Sequence, residues 1–104
     1  MLDLVLINKG VDKMEIKFDE KGHRAVALVD GKQIGECTFS RATGLWIIDH
    51  TKVDEEYEGQ GIGKKLVDKV VEEARKKGIK LMATCPFALK LFQTSKEYED
   101  VYKK

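Results

Sequence analysis

Three glycines at alternate positions, in Glu58-Gly59-Gln60-Gly61-Ile62-Gly63-Lys64, stand at the head of a stretch with helical periodicity. Backbone without Cβ atoms can approach a ligand closely and turn successive N–H groups toward it. A helix start adds unsatisfied donors and the positive end of the helix dipole, so the segment suits a phosphate or pyrophosphate. A simple connecting turn needs only one glycine. Two nucleotide motifs fail on these residues. A P-loop requires Ser or Thr where Lys65 stands and an earlier glycine where Glu58 stands. The dinucleotide fingerprint, started at Gly59 and Gly61, requires glycine where Lys64 stands.

A thiol and an imidazole are the other reactive groups. Cys85 precedes Pro86, which biases it to an extended backbone, at the carboxyl end of an apolar strand over residues 79–83. In α/β folds that end is where ligands meet chemistry. His50 lies late in the strongly apolar strand Leu45–Val53, and a neutral imidazole can take a thiol proton at physiological pH. The alternative is a buried thiol, since free Cys is among the most buried residue types, and a histidine hydrogen-bonded within the sheet. Cys37, in mid-strand, reads as packing, and Trp46 as core. Two cysteines with no CxxC or HxxxH pattern make no metal site, and none is expected.

The elements that must hold these groups change period halfway along the chain. Met14, Ile16 and Phe18 alternate with Glu15 and Lys17, the period of a half-buried strand. Strands are expected over Arg24–Val29, Gln33–Ser40 and Leu45–Val53, joined by Asp30-Gly31 and a turn at Gly44; connections this short make an antiparallel meander. Leu2–Ile7 is a further strand or an arm. From Ile62 the apolar residues Leu66, Val67, Val70, Val71 and Ala74 form one helical stripe, with Lys64, Lys65, Lys69, Glu72, Glu73, Lys76 and Lys77 on the wet side and Gly78 as the stop. A short strand over 79–83 follows. A short helix from Phe87 to Gln93 then turns Phe87 and Leu91 inward, with Ala88 a further candidate for the inner side, and Tyr98, Val101 and Tyr102 dock the tail. The fold class is α/β (α+β): about four antiparallel strands, a long helix, a parallel strand and a short helix, as one domain over residues 1–104.

Composition narrows the partners. Hydrophobic residues are 42% and charged ones 36% of the 104, which supports one packed core and excludes wholesale disorder. Nineteen basic residues against eighteen acidic ones leave +1, no field to attract nucleic acid. No apolar run reaches the ~20 residues of a membrane span, and the start shows no signal-peptide pattern. The expectation is a cytoplasmic protein with free thiols, with no nucleic-acid or membrane partner, as a monomer or weak homodimer.

The sequence also resembles a known family. A strand, then [Gln/Arg]-x-x-Gly-x-[Gly/Ala] and a helix after an antiparallel meander is similar to the pyrophosphate loop of the GNAT acetyltransferases. Gly61 and Gly63 fall on its small positions. Cys85-x-x-Ala88-x-x-x-Phe92 has the spacing of the family's Asn-x-x-Ala-x-x-x-Tyr segment. Asp49-His50-Thr51-x-Val53, Thr84-Cys85-Pro86-Phe87-Ala88 and Glu97–Tyr102 resemble the small, single-domain YjdJ-like bacterial members. The resemblance implies a compact GNAT-like fold and an acetyl-CoA-dependent N-acetyltransferase acting on a small-molecule amine or peptide; the alternative is a coenzyme A or acyl-CoA-binding module with little catalysis. Cofactor-binding residues would be Val53, Gly59, Gln60, Gly61, Ile62, Gly63, Lys64 and Lys65. Two departures stand out. Glu58 replaces Gln or Arg, with Lys64 and Lys65 compensating its charge, and Phe92 replaces the Tyr that protonates the leaving thiolate. Cys85 then becomes the candidate acyl acceptor or proton donor, with His50 as its partner.

Overall fold

A computed structural model describes residues 3–6 and 13–103. Among these residues six strands form one sheet in chain order: β1 Asp3–Leu6, β2 Lys13–Asp19, β3 Arg24–Val29, β4 Lys32–Ala42, β5 Leu45–Val53 and β6 Lys80–Ala83. The first five pair antiparallel, and β6 joins β5 in parallel after the helix α1, Ile62–Lys77. The expected meander and parallel strand are therefore present. The backbone of the Leu2–Ile7 run supplies β1, with Leu2 and Ile7 themselves outside the described residues.

α1 forms because its apolar stripe matches the helical period, and Ile62, Leu66, Val67, Val70, Val71 and Ala74 are all buried. Gly78, at φ 66°, ends it by giving its N–H to the carbonyls of Ala74 and Arg75. The stripe covers the inner sheet face, where Met14, Ile16, Ala25, Ala27, Cys37 and Ile48 are buried. A second helix, α2, spans Pro86–Thr94. The tail returns beside β6: the Leu81 N–H meets the Val101 carbonyl at 2.7 Å, and Arg75 holds Asp100 at 2.8 and 2.9 Å. On the outer face Lys17, Ser40, His50 and Lys52 are exposed.

Two expectations are corrected. Lys69 is not on the wet side: it is 3% exposed, with its ammonium 3.0 Å from Glu72. Phe87 is not inward: it is 45% exposed, while the other candidate, Ala88, is buried together with Phe92. Phe87/Leu91 and Ala88/Phe92 are both i,i+4 pairs, so spacing alone does not say which faces the core. The tail decides it, because Tyr98 and Tyr102 bring rings to within 5.1 and 5.4 Å of Phe92.

Candidate active site

β5 is longer than its parallel neighbour. Their register ends at Ile48↔Ala83, and the Ile48 carbonyl accepts the N–H groups of both Thr84 and Cys85. Residues 50–53 then continue, among the described residues, with β4 alone on one side. The chain after β6 turns away into α2 with Cys85 as its N-cap, in the extended conformation expected before proline (φ −67°, ψ 121°). The two strands thus open a wedge between β5 and α2.

A cavity of about 470 Å³ fills this wedge, within the usual range for ligand pockets. Thr51 and Val53 of β5 form one wall, and Phe87 and Leu91 of α2 the opposite one. Tyr57, Glu58, Gly59, Gly61, Ile62, Gly63 and Lys64 close the end. Gly59 and Gly61 sit at φ 84° and 76°, a left-handed backbone that other residues rarely adopt. Gly63 is required for a different reason: a Cβ there would lie 3.0 Å from the Phe87 ring. α1 starts on Gly61 with no side-chain cap and no acidic residue in its first turn. Its first N–H groups are therefore available to an anion beside the cavity.

Of the eight expected cofactor residues, Val53, Gly59, Gly61, Ile62, Gly63 and Lys64 line the cavity; Gln60 and Lys65 do not, and Lys65 is exposed. The Lys64 ammonium is held by Asp68 at 3.0 Å and Glu97 at 3.1 Å, over the Tyr98 ring. The hydrogen bond to Asp68, with Glu97 adding to it against partial desolvation, pushes Lys64 well above the usual lysine range. Its charge is committed to these carboxylates, so it does not act as a free counter-charge to Glu58. Thr51, Tyr57, Glu58, Phe87 and Leu91 line the cavity from outside the expected set. The signal for Thr51 was its spacing of two from Val53, which puts both on one strand face.

The structure separates Cys85 from His50. Cys85 is 5% exposed, and its thiol donates to the Thr51 hydroxyl at 3.5 Å. Thr51 pairs with the buried Cys37 on the inner face. His50, next in sequence to Thr51 and exposed, pairs with Thr38 on the outer face. A bulge explains the miss. β4 pairing jumps from Phe39↔Ile48 to Thr38↔His50 and leaves Asp49 unpaired. Strict alternation from Trp46 and Ile48 carries His50 inward, but the extra residue reverses the faces beyond it. Asp49 also lies outward, accepting hydrogen bonds from Thr38 and Ser40. Partial burial opposes its ionisation, but the two hydroxyls outweigh this and hold its carboxyl below the usual range. Phe92 is core, 3% exposed.

The family model described as GCN5-related N-acetyl-transferase matches residues 24–101. The fold is similar to that of a GCN5-like protein from Staphylococcus aureus solved by NMR, with a TM-score of 0.68 and 36% identity, covering 85% of this chain and 86% of that one. It is also similar to ribosomal-protein-S18-alanine N-acetyltransferase from Escherichia coli (TM-score 0.60, 20% identity, 74% of this chain and 53% of that one). The PaiA N-acetyltransferase of Thermoplasma acidophilum, solved in complex with coenzyme A, gives a TM-score of 0.57 at 19% identity over 67% of this chain and 47% of that one. The chain thus spans about half the length of these last two proteins. Among curated proteins none matches the sequence significantly.

Proposed function

The chain belongs to the GCN5-related N-acetyltransferase family, and on that premise we propose that it transfers an acetyl group from acetyl-CoA, bound in the β5–α2 wedge, to a primary amine. The observation that carries this reading is the coincidence of three features at one place. β5 loses its neighbour, an uncapped helix start points N–H groups at the opening, and an apolar-walled cavity of about 470 Å³ joins them.

When bound, acetyl-CoA supplies the activated acyl group as a thioester. The chain's own part begins with the N–H groups of residues 61–64, which receive the pyrophosphate. Val53, Phe87 and Leu91 exclude water along the apolar arm. Residues 49–53 offer β5 backbone groups on the side where no strand pairs. With Phe92 carrying no proton, the Cys85 thiol, 3.5 Å from the cavity-lining Thr51 hydroxyl, holds a proton for the departing thiolate. The acceptor amine approaches from the open outer face, where His50 takes its proton. Cys85 and His50 thus serve opposite sides of one thioester and do not act as a pair.

Cys85→Ala should keep acetyl-CoA affinity within twofold while transfer to amines falls about 100-fold, the scale of a lost acid–base group. Full transfer by this variant removes Cys85 from the mechanism. A +42 Da adduct on Cys85 after mixing with acetyl-CoA, the added mass of one acetyl group, would make it an acyl acceptor instead. A second reading, a binding module with little catalysis, is favoured by Phe92 in the usual tyrosine position; acetyl-CoA binding with no turnover on a panel of amines would select it.

A further inference from the structure

Cys37, Thr51 and Cys85 form a continuous chain across the inner face of the sheet. Cys85 Sγ donates to Thr51 Oγ1 at 3.5 Å, and Thr51 Oγ1 donates to Cys37 Sγ at 3.5 Å. Thr51 is the member that lines the cavity. A hydroxyl has one proton and two lone pairs, so in this arrangement it can give to Cys37 while receiving from Cys85.

We propose that Thr51 is the positioning residue that aims the Cys85 thiol and stabilises its thiolate by turning its O–H from Cys37 to Cys85. This rests on the role given to Cys85 above. When Cys85 gives up its proton, the S–H bond breaks, the proton joins the departing thiolate, and the electron pair stays on Cys85 Sγ. The Thr51 O–H then rotates to that sulfur, leaving Cys37 as a neutral thiol. The proton that His50 takes from the acceptor amine passes on through water and restores the Cys85 S–H bond. No oxidant or further reactant enters.

Cys37 suits the resting position of this hydroxyl because burial pushes its thiol up to about 12. It stays neutral, and so does not hold the Thr51 proton as a thiolate would. Asp49 and Glu36 are the charged neighbours that act on Cys37, together with Cys85. Lys64 and Glu58 line the far end of the cavity, and His50 lies across the sheet. The α1 side chains turned to the core here, Ile62 and Leu66, carry no charge. None of these groups is altered by substitution of Thr51.

The test is an NMR titration of the intact chain carrying 13Cβ-labelled cysteine, which reads both thiols without requiring access to a reagent. Thr51→Val, close in shape but without the hydroxyl, should move the Cys85 midpoint up by about one pH unit, a tenfold smaller thiolate fraction below it. Thr51→Ser should restore the wild-type profile. A merely structural threonine would leave the midpoint in place, so a Thr51→Val titration that overlays the wild type overturns the proposal. Cys37→Ala tests it without touching Thr51: freed of its resting acceptor, the hydroxyl should serve Cys85 and lower its midpoint, and a midpoint unchanged or raised contradicts the proposal. Neither titration requires turnover, so full transfer by Cys85→Ala would remove the catalytic reading separately from the link between Thr51 and Cys85.

Discussion

Between Leu45 and Ile48, β5 is paired on both sides; between His50 and Val53 it is paired, among the described residues, only to β4. The first half carries Trp46 and Ile48 into the core, 3% and 0% exposed, with the Trp46 ring 4.3 Å from Phe39 and 5.9 Å from Phe18. The second half carries Thr51 and Val53 to a cavity wall. One unpaired residue, Asp49, separates them. The same strand is thus an anchor where the sheet closes around it and a binding edge where the sheet leaves it open. Stability should concentrate in the first half and ligand affinity in the second.

Trp46→Ala probes the anchor and should have the largest effect, about 3–5 kcal/mol of unfolding free energy by urea denaturation, as for other buried aromatics. The molecules still folded should bind acetyl-CoA nearly as tightly as the wild type. A large affinity loss with little destabilisation would erase the distinction between the halves.

Cys37 gives an intermediate effect through pH. Burial raises its thiol in the folded chain to about 12, whereas the unfolded thiol titrates near ~8.5–9. Above that lower value the unfolded chain binds fewer protons than the folded one. This contribution to stability is therefore complete below pH ~9 and is lost as pH rises toward 12, with a slope of about 1.4 kcal/mol per pH unit. Urea melts of the wild type and Cys37→Ala at pH 9 and 10 should differ in slope by about that much. Equal slopes would mean that water reaches the second half of β5 from the inner face.

The smallest expected effect on stability comes with a clear effect on binding. Gly63→Val pushes the Phe87 ring from its position over α1 into the cavity, because even a Cβ would stand 3.0 Å from it. Acetyl-CoA affinity should fall more than tenfold by calorimetry, at least ~1.4 kcal/mol, with little change in melting. Adding Phe87→Ala should recover part of it. A Gly63→Val protein with unchanged affinity would show that the wedge is not the cofactor site.

The contrast also explains what the sequence makes legible. The glycine loop was readable because its cause is local: left-handed φ at Gly59 and Gly61, and a helix start that nothing caps. α1 was readable from its period, and so were the hairpins of the meander. The bulge was not, since Ile47-Ile48-Asp49-His50-Thr51 contains no glycine or proline to mark it, and the hydroxyls that hold Asp49 come from β4. That single residue decided which of His50 and Thr51 faces the cavity. α2 was misread for a related reason, because the rings that bury Phe92 and leave Phe87 exposed belong to the tail.

Whether the open half of β5 and the start of α1 bind acetyl-CoA is read residue by residue by titrating 15N-labelled protein with acetyl-CoA and following the amide resonances. The largest shifts are expected at Gly59, Gly61, Gly63 and Lys64, then at Thr51, Val53, Phe87 and Leu91, with Trp46 and Ile47 little changed. Shifts centred on the first half of β5, or none at saturating acetyl-CoA, would contradict binding there.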